Sequence, residues 1–234
     1  MSANPETVAR PRSDLGVRTL SGIAMMLVAA VAILFGGWIF RIFVVLVAIG
    51  LLREWARLAW KLRSDVSGRI FWALGGLIYI GVSTATLVAL REISELYLVL
   101  TVIGIVIATD TGAYFAGRTF GGPKIAPKIS PSKTWTGLAG GMMAAAILAS
   151  AVGSHFEAFA LWQPLVGGGL AVVAQAGDFF ESWMKRRAGV KDSGSLIPGH
   201  GGLLDRADGL LAVLFAVAIL LFIVHFDAGA IAIS

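Results

Sequence analysis

The chain contains no cysteine. That excludes a disulfide framework, a thiolate metal site and a cysteine nucleophile. Charge is scarce as well. Asp, Glu, Lys and Arg make up 14% of the 234 residues, where a soluble domain carries roughly 25%. The first eighteen residues are polar and lack the apolar run of a cleavable signal peptide. What fills the space is hydrophobic: 57% of residues, with a mean hydropathy of +0.84. This composition defines an integral membrane protein of the all-α class. The expected layout is a polar cytoplasmic stretch over 1–18 and one membrane domain over 19–234.

Seven apolar segments can be drawn, at about 19–35, 38–56, 70–90, 94–117, 134–153, 159–177 and 207–226. Each approaches the ~20 residues that a helix needs to cross the hydrocarbon. Gly36 and Gly37 separate the first two and predict a tight helical hairpin. Seven spans put all of the 19 Lys and Arg on one side except Arg41 and Arg91. By the positive-inside rule that face is cytoplasmic, with the N-terminus. In a bacterium the expected location is the inner membrane.

The sparse charge is concentrated in two places. Residues 178–208 hold four Asp, one Glu and one His among five Lys and Arg. Asp178, Glu181, Ser182 and Lys185 fall at i, i+3, i+4 and i+7, one face if the sixth helix runs on. Asp205 and Asp208 share a face at the start of the last helix. Carboxylates brought that close repel unless a cation joins them. Asp178, Asp205 and Asp208 are therefore candidate ligands for a hard cation such as Mg²⁺, with room for a second cation. The competing readings are Asp–Arg pairs at the interface, and a Glu181–Lys185 pair one turn apart. Lys185, Arg186, Lys191 and Arg206 are candidate phosphate contacts. The glycine-rich loop between the carboxylates carries His200, which can donate to a phosphate or satisfy a loop carbonyl.

The second concentration covers 108–137. Asp110 falls within the fourth span, where an acid is a functional candidate by default. A structural hydrogen bond is the alternative. Lys124, Lys128 and Lys133 alternate with prolines. Ser130-Pro131 predicts a helix start, with Ser130 as N-cap, whose positive end would hold a phosphate beside Lys128, Lys133 and Thr134. A basic loop on anionic headgroups is the plainer reading. Arg53, Glu54, Arg57, Lys61 and Arg63, with Trp55 and Trp60, read as the interfacial end of a helix that anchors to lipid.

These two blocks resemble the phosphatidate cytidylyltransferase (CDP-diacylglycerol synthase) family. The downstream signature S-x-x-K-R-x₄-K-D-x-G-x₂-[apolar]-P-x-H-G-G-[apolar]-x-D-R-[apolar]-D is carried by Ser182, Lys185, Arg186, Lys191, Asp192, Gly194, Ile197, Pro198, His200, Gly201, Gly202, Leu203, Asp205, Arg206 and Asp208. The upstream block D-[ST]-G-A-Y…K-x-[AS]-P-x-[IV]-S-P-x-K-T-W-x-G runs from Asp110 to Gly137. The likeness is strong over about 108–210, the expected catalytic part. Ala207 is smaller than the family's usual residue there, and the N-terminal half is short.

The resemblance implies CMP transfer from CTP to phosphatidic acid, giving CDP-diacylglycerol and pyrophosphate in phospholipid biosynthesis. It implies Asp178, Asp205, Lys191 and His200 as catalytic groups, with Asp178 and Asp205 on the metal. Lys128, Ser130, Lys133, Thr134, Ser182, Lys185, Arg186, Arg206 and Asp110 become substrate contacts. CTP, phosphatidic acid and membrane lipid are the expected partners, with no nucleic acid; a homodimer is compatible with it. The alternatives are a CTP-dependent transferase or kinase for another lipid phosphate or a polyprenyl substrate, and a cation transporter. A transporter would need polar groups reaching the far face, which is nearly free of charge.

Overall fold

The computed structural model describes residues 13–94, 96–153, 162–196 and 201–231. Among them are seven helices: α1 (Ser13–Phe35), α2 (Gly37–Leu62), α3 (Val66–Ser94), α4 (Tyr97–Phe120), α5 (Trp135–Gly153), α6 (Gln163–Arg187) and α7 (Leu204–Ile231). A short antiparallel hairpin, β1 (Lys124–Ala126) and β2 (Ser130–Thr134), joins α4 to α5. The all-α expectation holds: the spans drawn at 19–35, 38–56, 70–90 and 207–226 lie inside helices, whereas α4, α5 and α6 begin one to four residues later than drawn. α3, α4, α5 and the first part of α7 are each long and apolar enough to cross a membrane. Large apolar side chains point outward along the bundle, such as Leu20, Phe71, Ile107 and Phe222. That surface matches lipid rather than water.

α5 packs between α4 and α6, α6 lies against α7, and α3 links α7 to α2. The reason for the tight inner packing is in the sequence of α5. Gly137, Gly141, Ala145, Ala149 and Gly153 recur every fourth residue and are all buried. Without a hydrophobic drive between helices in lipid, small residues let backbones approach and gain dispersion contacts. A Cβ on Gly141 would lie 2.8 Å from the Thr109 carbonyl oxygen of α4. One core cluster forms here, from Val99, Ile105, Ala145, Ala171 and Val213. A second joins α2 and α3 to α6 and α7 through Leu51, Trp55, Leu58, Ile80, Met184 and Leu204.

The predicted hairpin at Gly36 and Gly37 is present, with φ of 65° and 52°, which favour glycine. The two basic residues of the far face are both accounted for here. Arg91 Nε donates to the Ile33 carbonyl at 3.1 Å, satisfying an open carbonyl at the end of α1. Arg41 pairs with Glu92 at 2.5 Å. On the opposite face Asp65 accepts from the Gly68 amide at 2.7 Å and so caps α3. That amide bond, followed by the Ser67 hydroxyl, holds the Asp65 carboxyl below its ordinary range.

One local expectation fails. Ser130 does not cap a helix: it lies in β2, and α5 begins at Trp135. Pro127 and Pro131 flank a turn and favour extended backbone before them, so the chain closes a hairpin first. Thr134 takes the capping role, accepting from the Gly137 amide at 3.1 Å. The helix start lies at Thr134 rather than at Ser130.

The α4–α5 contact makes a direct prediction. Gly141→Val should lower stability by about 1–3 kcal/mol through overpacking, read as a drop in thermal midpoint in detergent. Gly75→Val, where an added Cβ meets nothing within 4 Å, should shift the midpoint far less.

Candidate active site

A cavity of about 620 Å³ opens where α4, β2, α6 and α7 meet, and four carboxylates line it: Asp110, Asp178, Asp205 and Asp208. Arg118, Lys124, Lys133 and Arg206 face the same space. A packing feature brings two of the acids together. Gly177 sits against the Asp208 backbone, where a Cβ would approach its carbonyl oxygen to 2.7 Å. That closeness sets Asp178 of α6 beside Asp208 of α7. The β-hairpin contributes Lys124, Ser132, Lys133 and Thr134 to the cavity wall.

Lys133 is the one cation of the four that is not fully exposed, its side chain 17% accessible. Its Nζ forms an ion pair with Asp178 Oδ2 and donates to Gln175 Oε1 at 2.9 Å. Gln175 Nε2 donates in turn to Asp110 Oδ1 at 3.4 Å. The ammonium also lies 5.3 Å from the centre of the Phe179 ring, a further attraction for its charge. Ser182 Oγ donates to Asp178 Oδ1 at 3.3 Å. The Asp178 charge repels both Asp110 and Asp208.

Asp205 is held differently. Lys185 Nζ donates to Oδ1 at 2.6 Å. Oδ2 accepts from the Ser193 amide at 3.0 Å, the Ser193 hydroxyl at 3.0 Å and the Gly202 amide at 2.8 Å. Lys185 Nζ also lies 2.5 Å from Glu181 Oε2, the pair expected from their i, i+4 spacing. Ser193 Oγ stands 3.1 Å from Glu54 Oε2, which also accepts from the Leu204 amide at 2.8 Å. Glu54 is wholly buried, and its Oε1 has no hydrogen-bond partner among the described residues.

Of the residues singled out from sequence, Asp110, Asp178, Asp205, Asp208, Lys133, Thr134 and Arg206 reach the cavity wall. Asp110 is exposed to it rather than buried. Ser182 and Lys185 stand behind Asp178 and Asp205. Lys128, Ser130, Arg186 and Lys191 are not among the lining residues, and Lys128, Arg186 and Lys191 are exposed elsewhere on this face. His200 lies outside the described residues.

Sequence reasoning missed Gln175, a neutral residue in a span, and Ser193. It also read Glu54 as part of a lipid anchor. The signal for Glu54 was available: it shares the stripe of Leu51, Trp55 and Leu58 rather than that of Arg53 and Arg57.

Among the described residues no three His, Asp or Glu are gathered into a ready metal cage. The donor set still suits a hard cation that keeps several waters and shares substrate phosphates. Asp178 and Asp208 line the same cavity from facing helices, whereas the Asp205 oxygens are already occupied by donors.

Fold and cavity together define a membrane enzyme whose site, at one end of the bundle, suits phosphate-bearing substrates. The chain belongs to the cytidylyltransferase family, whose model matches residues 61–224. A phosphatidate cytidylyltransferase of Rickettsia felis is 37% identical over 227 residues, covering 92% of this chain and 97% of that protein. One from Rickettsia typhi is 36% identical over 88% of this chain and 91% of its own length. A Brucella suis enzyme of the same name is 46% identical over 144 residues, 60% of this chain and 53% of the relative.

The Glu54 contacts carry their own prediction. Glu54→Ala strands the buried Leu204 amide and should cost about 1–3 kcal/mol. Faster hydrogen exchange at Leu204 and a lower denaturation midpoint would register it. Glu54→Gln keeps the acceptor oxygen and should lose less.

Proposed function

We propose that this protein transfers CMP from CTP to phosphatidic acid, releasing pyrophosphate and forming CDP-diacylglycerol. The observation that carries the reading is the cavity between α4, β2, α6 and α7. It combines clustered carboxylates with a half-sequestered lysine, within the segment matched by the cytidylyltransferase family. The relatives named as phosphatidate cytidylyltransferases span nearly the whole chain.

The reaction asks little of a general base, because the phosphatidate oxygen is already anionic. That oxygen forms a bond to the α-phosphorus of CTP while the bond to the β-phosphate oxygen breaks. The electron pair leaves on pyrophosphate. The difficulty is electrostatic, since two polyanions must meet. Lys133 is the cation best placed to face the phosphates, with Gln175 and Phe179 fixing its ammonium. Arg118, Lys124 and Arg206 sit where they can receive the arriving charge. Lys128, Arg186 and Lys191 are outer contacts, and His200 is a donor from the glycine-rich loop.

Asp178 and Asp208 would hold Mg²⁺, with Asp205 joining them only if it releases a donor. The ion would neutralise developing charge on the transferred phosphoryl group. Asp205, through Lys185, Ser193 and Gly202, ties α6 and the residues before α7 to the cavity wall. A site at the membrane surface lets a lipid and a soluble nucleotide meet. We place that surface on the cytoplasmic side of the bacterial inner membrane, with the N-terminus.

Purified protein given labelled CTP, phosphatidic acid and Mg²⁺ should yield a labelled lipid; no labelled lipid would overturn the reading. Lys133→Ala should lower kcat/KM by at least about tenfold, the value of one charge-assisted contact. Asp178→Asn should nearly abolish turnover even at saturating Mg²⁺ while leaving membrane insertion intact.

Orientation is checked separately. A reporter fused after Ser234 should read as non-cytoplasmic, and a cytoplasmic signal would overturn the seven-span topology.

A further inference from the structure

A second cavity, of about 660 Å³, lies on the other side of the loop that holds Asp205, between the last turns of α2 and residues 190–195. Arg53, Arg57 and Lys61 line it from α2, and Asp192 and Ser193 line it from the loop. The three cations recur every fourth residue and therefore form one ridge, about 12 Å long at the helical rise. All three are exposed. Among the described residues they form no ion pair or hydrogen bond, unlike the neighbouring Arg63, which pairs with Asp65 at 3.2 Å. One acid, Asp192, opposes three positive charges in this space.

The depth of this cavity is fixed by the length of α2. Its 26 residues extend about 39 Å, against ~30 Å of hydrocarbon. Its end therefore projects into the headgroup layer, where Trp60 stacks with Arg69 at 4.6 Å. Two guanidinium forks and one ammonium in a row offer a phosphate group bidentate contacts from the arginines and a point charge from the lysine.

We propose that the Arg53–Arg57–Lys61 ridge is a second phosphate-binding site, separate from the carboxylate cavity and facing it across Ser193. Its ligand is a phosphate-bearing anion, supplied either by a lipid headgroup or by a soluble polyphosphate such as a nucleotide carries. Position gives the site a consequence. Ser193 lines this cavity while its amide and hydroxyl hold Asp205, a wall residue of the other. An anion drawn between the ridge and the loop bears directly on the segment that positions Asp205.

The test reads binding, not turnover, so its outcome is independent of whether CMP transfer occurs. Protein in phosphatidylcholine nanodiscs is titrated with inorganic tripolyphosphate. In the second arm, phosphatidic acid is titrated into the discs and followed by protection of residues 190–195 from hydrogen exchange. Both arms are run in a Lys133→Ala background, which weakens the other cavity. The triple variant R53Q/R57Q/K61Q should weaken binding at least about tenfold in one arm, which names the source of the phosphate. R53K/R57K, which keeps the charge, should bind more tightly than the triple variant and excludes a folding defect. Equal binding by the triple variant and its parent in both arms would overturn the site. So would an equal loss in Arg63→Gln, which would mark diffuse surface attraction.

Discussion

The structure depends on how one carboxylate, Asp205, is kept charged at the edge of a membrane. Its two oxygens receive an ammonium, two amides and a hydroxyl. Taking a carboxylate out of water costs several kcal/mol unless its lone pairs are filled. Filling them ties separate parts of the chain together. Lys185 comes from α6, Ser193 from the connecting loop, and Gly202 from the residues before α7. Ser193 then reaches Glu54 on α2, which also takes the first amide of α7. A buried polar network of this kind specifies a geometry rather than adding bulk stability. Loss of one member leaves the others buried without partners.

That network would have nothing to hold without close backbone packing beneath it. Small residues repeat along α5 and recur at Gly112 and Gly177 in its neighbours. They let α4, α5, α6 and α7 converge, so that acids from α4, α6 and α7 reach one cavity. On the outer side, rings fill the wider gap between α2, α3 and α6. Trp72 stacks on Phe180, and Phe180 on Trp183, with centroids near 6 Å. Glycine sets the near spacing and aromatic rings the far one. The cavity is an outcome of that contrast.

Much of this was legible in the sequence because membranes impose few choices. A span must be helical, so apolar runs located the helices. Density of ionisable groups located the site, and Asp178, Asp205 and Asp208 do line one cavity. The errors came where the chain leaves the hydrocarbon and that constraint relaxes. Ser130-Pro131 has helix-start chemistry, yet two prolines and a turn made a hairpin cheaper. Arg186 and Lys191, of the same motif as Lys185, lie exposed outside the cavity wall, since adjacent residues on a helix or loop cannot all face one cavity. Glu54 was misread because its neighbours are basic, although its helical phase matched the buried stripe.

The two halves of the carboxylate set differ in what they can still do. Asp205 has its donors, and moving it would break contacts to three segments. Asp178 has Lys133 and Ser182, while Asp208 receives the amide of Gly209, the next residue along its own helix. The Asp178 charge acts on Asp208, and of the two carboxylates it is Asp178 that Lys133 contacts. A cation would relieve their repulsion, and Lys133, released from Asp178, would then be free to meet a phosphate. An incoming anion would compete with Asp178 for the same ammonium, so phosphate binding and cation binding would favour each other. Such linkage suits a site where neither substrate nor ion should be held tightly alone.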